Sequence, residues 1–160
     1  MEEFAKQFIA ESRAFLISDY LPKIESCLRR LTDQDIWWRP NEDSNSIGNL
    51  LMHLEGSTRN WIISVAGESY RPRDRQREFD QQEQIPLADL MASLKKTLTD
   101  ADQVLARIDT NQLLEKRQET SEEVTVLWAV YHAVEHFSMH TGQIIMLAKM
   151  LSKEKLRLSD

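Results

Sequence analysis

The stretch EEVTVLWAVYHAVEHFSMHTGQIIMLAKMLS, residues 122–152, decides the fold. Its apolar residues Val126, Leu127, Val130, Val134, Phe137, Ile144, Ile145, Leu147, Met150 and Leu151 recur at spacings of three and four. That is the period of a helix burying one face, and the run predicts a helix from about Glu122 to Ser152. Three more such segments precede it. Leu87, Leu90, Met91, Leu94, Leu98, Val104, Leu105 and Ile108 predict a helix opening at Pro86. Ile47, Leu50, Leu51, Leu54, Trp61, Ile62 and Val65 predict one from Ser46 to Val65, capped by Asn45 or Ser46. Phe4, Phe8, Ile9, Phe15, Leu16, Leu21, Ile24, Leu28 and Leu31 predict one from Glu3 to Leu31. Pro22 should kink or split this first helix, because proline lacks a backbone donor and clashes with the preceding turn.

Four amphipathic helices bury their apolar stripes by packing on one another. The expected fold is therefore all-α, a four-helix bundle forming one domain over residues 1–160. The connections are uneven. Thr32-Asp33-Gln34-Asp35 supplies caps for a short turn, and Asp109 to Ser121 reads as an irregular connector. The polar stretch Gly67 to Gln84 is unusually long for a compact domain and reads as a crossover or lid between the second and third helices. Lys153 to Asp160 is expected to fray.

Composition narrows the partners. The net charge is −6, which argues against a nucleic-acid binder, and Arg71, Arg73, Arg75 and Arg77 form a basic run that reads as solvated loop. No apolar window is long enough to span a membrane. The single cysteine, Cys27, lies in an apolar-periodic stretch and reads as a buried structural thiol. With an acidic start and no signal-peptide pattern, the expected compartment is the cytoplasm.

The chemistry lies in the histidines. His132, His136 and His140 follow one another at i, i+4 and i+8. Each four-residue step offsets the side chain by only ~40°, so either adjacent pair can chelate one ion. The outer two are ~12 Å apart along the axis, so a third ligand must come from another helix. The only other histidine is His53, inside the apolar run of the second helix. Three neutral imidazoles suit zinc, nickel, copper or iron and leave coordination positions open. His132-Ala133-Val134-Glu135-His136 also matches the His-x-x-Glu-His pattern of inverted zinc peptidases, but no acidic ligand follows on a further element. Glu135 is expected at the surface or orienting an imidazole. Gly142 lies ~200° around the helix from His140 and cannot serve the metal. A close approach of the first helix or of a second subunit would explain it.

Two stretches resemble a known family. Ser46-Ile47-Gly48-Asn49-Leu50-Leu51-Met52-His53-Leu54-Glu55-Gly56 is similar to the second-helix motif of the DinB-like (YfiT-like) superfamily. Glu135-His136-Phe137-Ser138-Met139-His140-Thr141-Gly142-Gln143-Ile144 is similar to its final-helix motif. Trp37-Trp38-Arg39-Pro40 looks like the segment before the second helix in the DUF1572 branch. The resemblance implies a bundle with a long crossover after the second helix and often a homodimer. It implies a nickel or zinc ion held by His53, His136 and His140. His132 then falls outside the triad, next to the metal ligands or facing substrate, and Asn49, Trp38, Trp61, Trp128 and Tyr131 are candidate pocket residues. It also implies a metal-dependent enzyme acting on a small molecule, such as an S-transferase using a low-molecular-weight thiol, or a hydrolase. The alternative is a non-catalytic metal-binding or dimeric interaction module.

Overall fold

The structure, a computed structural model, describes residues 2–69, 73–81, 84–119 and 122–152. Arg71 and the tail from Lys153 to Asp160 lie outside the described residues. Four long helical rods pack around one contiguous apolar core, to which each contributes a stripe.

The first rod comprises Glu2–Ala14, a π-helical turn Phe15–Tyr20, and Leu21–Leu28. Pro22 does not split it. The proline sits in the first turn after the π segment, where the wider winding relieves the clash of its ring with the preceding turn. The second rod runs through Ile47–Thr58 and continues as a π segment, Arg59–Ala66. Ser46 caps it: its Oγ accepts from Asn49 N (3.1 Å), and Asn49 Oδ1 returns a bond to Ser46 N (3.3 Å). The third rod is Leu87–Arg107, with Leu90, Leu94, Leu98, Ala101 and Leu105 buried. The fourth is Val126–Leu151, with Val126, Val130, Phe137 and Ile144 in the core.

The connections differ most from the sequence reading. The connector after the third rod is regular over its described residues, 109–119. It holds a 3-10 turn, Thr110–Gln112, and a strand, Lys116–Glu119, that pairs antiparallel with Glu122–Thr125. The fourth rod therefore starts at Val126, not Glu122, with the Thr125 hydroxyl accepting from Trp128 N (3.1 Å). The long polar connection between the second and third rods contains a crossover helix, Arg75–Asp80, capped by Asp74. Gly142 meets nothing within 4 Å where a Cβ would stand. Among the described residues no close approach explains it, and it is exposed beside Met139, Met146 and Met150 on the fourth rod. Among the described residues, no helix is long and apolar enough to cross a membrane.

Candidate metal centre

His53 sits in the second rod, between the buried polar Asn49 and Ser57 one turn to either side, and is 3% exposed. His136 and His140 sit one turn apart on the fourth rod, and His140 is 8% exposed. Packing of the two rods brings the three rings together. His53 Nε2 lies 3.1 Å from His136 Nε2, and His140 Nε2 lies 3.2 Å from the same atom. One ligand atom from each of the three falls within 4.8 Å of the others.

What holds the far side of each ring matters as much. His53 Nδ1 donates to Glu78 Oε2 (2.8 Å). His140 Nδ1 donates to Gln143 Oε1 (2.7 Å), and His136 Nδ1 faces Ser57 Oγ (3.3 Å). An imidazole that donates from Nδ1 presents a bare lone pair at Nε2. Lone pairs turned toward one point repel unless a cation or a shared proton lies between them. A tetrahedral ion with metal–nitrogen bonds of ~2.0–2.1 Å spaces its nitrogen ligands ~3.3–3.4 Å apart, close to the 3.1 and 3.2 Å that separate His136 Nε2 from its two neighbours. The donor set fits one divalent ion.

The electrostatics agree. Burial holds the His136 imidazole down at about 3, and the neighbouring His140, His53 and His132 push the same way. Burial also lowers His140, against the opposing effect of its hydrogen bond to Gln143 Oε1. Both rings are therefore neutral at physiological pH, the form that binds metal. Burial pushes the Glu78 carboxyl up, but its hydrogen bonds to His53 and Arg73 and the Arg73 charge outweigh this, and it ends below its ordinary value.

The remaining sequence candidates divide. His132 is outside the cluster: its ring stacks on Trp128 (centroids 4.7 Å, 16°) and stands 5.5 Å from His136. Trp61 closes this aromatic group edge-on, 4.9 Å from His132 and 5.1 Å from Trp128. Tyr131 and Trp38 are exposed, and Trp38 makes no ring contact with a histidine among the described residues. Glu135 is half exposed, with its nearest histidine partner His132 Nδ1 at 3.7 Å. Among the described residues it hydrogen-bonds no ring of the cluster, though its charge opposes the lowering of the His140 pKa. Asn49 is fully buried and hydrogen-bonds no histidine among the described residues; its side chain holds the crossover instead.

The sequence reading missed Glu78 and Arg73. The Arg73 guanidinium grips Glu78 through Nε (2.7 Å) and Nη2 (2.8 Å), so this member of the basic run is a half-buried ion-pair partner and not solvated loop. Arg75 does stay at the surface, over the Phe79 ring at 5.6 Å, and Phe79 in turn packs on His53 at 4.7 Å. The one signal for Glu78 was its place in a connection too long for a simple loop.

Comparison with known proteins places the fold and the family. The solved structure of a DinB-like protein from Bacillus cereus ATCC 10987 superposes with a TM-score of 0.63, covering 84% of this chain and 91% of that one at 15% identity. That likeness concerns the fold. No curated protein matches the sequence. The family model described as protein of unknown function (DUF1572) matches residues 3–159. The chain therefore belongs to the DUF1572 family.

Proposed function

We propose that the protein binds one zinc or nickel ion through His53, His136 and His140 and is a metal-dependent enzyme acting on a small molecule. The observation that carries this reading is the convergence of three Nε2 atoms, with an oxygen behind each Nδ1. When bound, such an ion supplies Lewis acidity that lowers the pKa of a thiol or water at its open positions. The chain's own residues fix the rings and surround them. Glu78, Ser57 and Gln143 hold the imidazoles in one orientation. Phe79 covers one side of His53, and the Trp61–Trp128–His132 group stands beside His136. The substrate classes we favour are low-molecular-weight thiols with an electrophile, for S-transfer, and hydrolysable small molecules. Metal analysis of the purified protein, then an activity screen with such thiols and electrophiles, tests this. A protein that takes up neither zinc nor nickel would refute it.

The exposed face of the fourth rod favours a second role. Met139, Gly142, Met146 and Met150 share that face, and Trp128 and Tyr131 extend it. We propose that this face forms a homodimer contact, where Gly142 lets a second copy approach closely.

A further inference from the structure

The crossover is fastened to the second rod by contacts that have no part in ordinary loop packing. Asn49, fully buried, donates from Nδ2 to the carbonyls of Glu78 (3.0 Å) and Phe79 (3.4 Å). Arg39 Nη2 reaches the Phe79 carbonyl (3.3 Å) and the Asn49 Oδ1 (2.8 Å). One turn beyond His53, Gly56 leaves the space the Glu78 carboxylate occupies; a Cβ there would overlap it. Arg73 then clamps that carboxylate, and its Nη2 lies 3.3 Å from His53 Nδ1, so two donors converge on one acceptor. The carboxylate, buried at the back of His53, ends a chain of contacts that begins at Arg39, ten residues before the rod's Asn49.

We propose that Glu78 is a positioning residue of the metal site, and that docking of the crossover onto Asn49 and Gly56 and binding of the metal stabilise each other. The inference rests on the metal reading above and adds its regulation. The physical reason is orientation. With Glu78 in place, His53 is held with its proton on Nδ1 and its Nε2 lone pair aimed at the cluster. With Glu78 withdrawn, the ring loses that bias, and one of three donors is no longer pre-aimed. By linkage, whatever weakens docking weakens metal binding, and bound metal tightens docking by the same factor. Residues that touch neither the ion nor a ligand therefore control its affinity.

Calorimetric titration with zinc tests this on the wild type, Glu78→Ala, Gly56→Ala and Asn49→Asp, each first checked for a native circular dichroism spectrum. Asn49→Asp keeps the oxygen that caps the rod and replaces only the donor to the crossover carbonyls, so the helix start survives. Glu78→Ala is expected to lose about 10–100-fold in affinity, and Asn49→Asp about 2–30-fold. Gly56→Ala should match Glu78→Ala, yet cost nothing further when added to it, since the displaced carboxylate is already gone. That non-additivity, and loss of the Nδ1-protonated tautomer from the His53 nitrogen spectrum in metal-free Glu78→Ala, are readouts that a purely structural role would not move. Wild-type affinity in folded Glu78→Ala or Asn49→Asp overturns the proposal and leaves the metal reading intact. A wild type that binds no zinc or nickel overturns both.

Discussion

At the scale of the residue, the site is a matter of which atom of each imidazole carries the proton. Oxygen acceptors behind His53 and His140 turn their Nε2 lone pairs inward, toward His136 Nε2. Removing an inward donor should therefore differ in kind from removing a neighbour. His140→Ala takes one of three donors and breaks the chelating pair of the fourth rod, and zinc titration should show most of the affinity gone. His132→Ala removes a ring that stacks on Trp128 and only flanks His136, and should stay within the ~10–100-fold window of changes next to a ligand. The reverse order would move the site to the 132/136 pair. Acid should act on the same rings. The folded pKa of His136 is held at about 3, below the ordinary 6.5, and that of His140 is lowered too. Below about pH 6.5 the unfolded chain takes up protons that the fold resists. Metal-free stability should thus be complete above that pH and fall as pH drops toward 3, with each ring adding at most ~1.4 kcal/mol per pH unit. Urea melts across pH 7 to 4 measure this; a flat profile would contradict it. The i, i+4 spacing made two candidate chelating pairs of the fourth helix legible in the sequence, and the family resemblance, not geometry, chose His136 and His140. Glu78 was not legible, because its partner His53 is 25 residues away and only the tertiary path of the crossover joins them.

At the scale of the element, periodicity found the rods and local chemistry set their ends. The Ser46–Asn49 capping box is the clearest case, since both partners are within one turn and buried. Ser46→Ala removes the acceptor for Asn49 N and should lower stability by roughly 0.5–2 kcal/mol, read from a thermal or urea melt. An unchanged midpoint would show that the start of the second rod is held by the crossover alone. The apolar period also carried the first rod across Pro22, where a π turn absorbs the ring. It could not announce that turn, because a single inserted residue leaves the stripe almost unchanged over one turn. The hairpin was hidden for a related reason. Glu122–Thr125 adjoins a helix pattern and reads as its first turn, and only pairing with Lys116–Glu119 fixes it as strand. Lys116 opposite Thr125 and Arg117 opposite Val124 give no local signal that competes with the long helical run behind them.

At the scale of the whole molecule, the histidine cluster is a tie between rods. His53 belongs to the second rod, His136 and His140 to the fourth, and Glu78 to the crossover between the second and third. The Met139–Gly142–Met146–Met150 face lies on the outside of that fourth rod. If it is a homodimer contact, sedimentation at micromolar concentration should give about twice the 18.7 kDa of one chain, and Met146→Glu should return the monomer. A wild type that sediments as a monomer would remove the dimer reading without touching the metal site. The metal prediction is independent of assembly. In the unfolded chain the two rods' histidines are far apart, so an ion held by all three binds the fold alone, and its binding energy adds to folding stability. With free zinc at 100 times its dissociation constant the gain is ~2.7 kcal/mol. For a chain of this length that corresponds to a rise in Tm of roughly 5–10 °C. The rise should reverse with a chelator, shrink in His140→Ala, and persist in His132→Ala. A melting curve indifferent to zinc and nickel in the wild type would mean that the inward lone pairs of His53 and His140 are reconciled without a cation, by a proton on His136 Nε2 shared between them, and the cluster would then be a structural clasp between two helices.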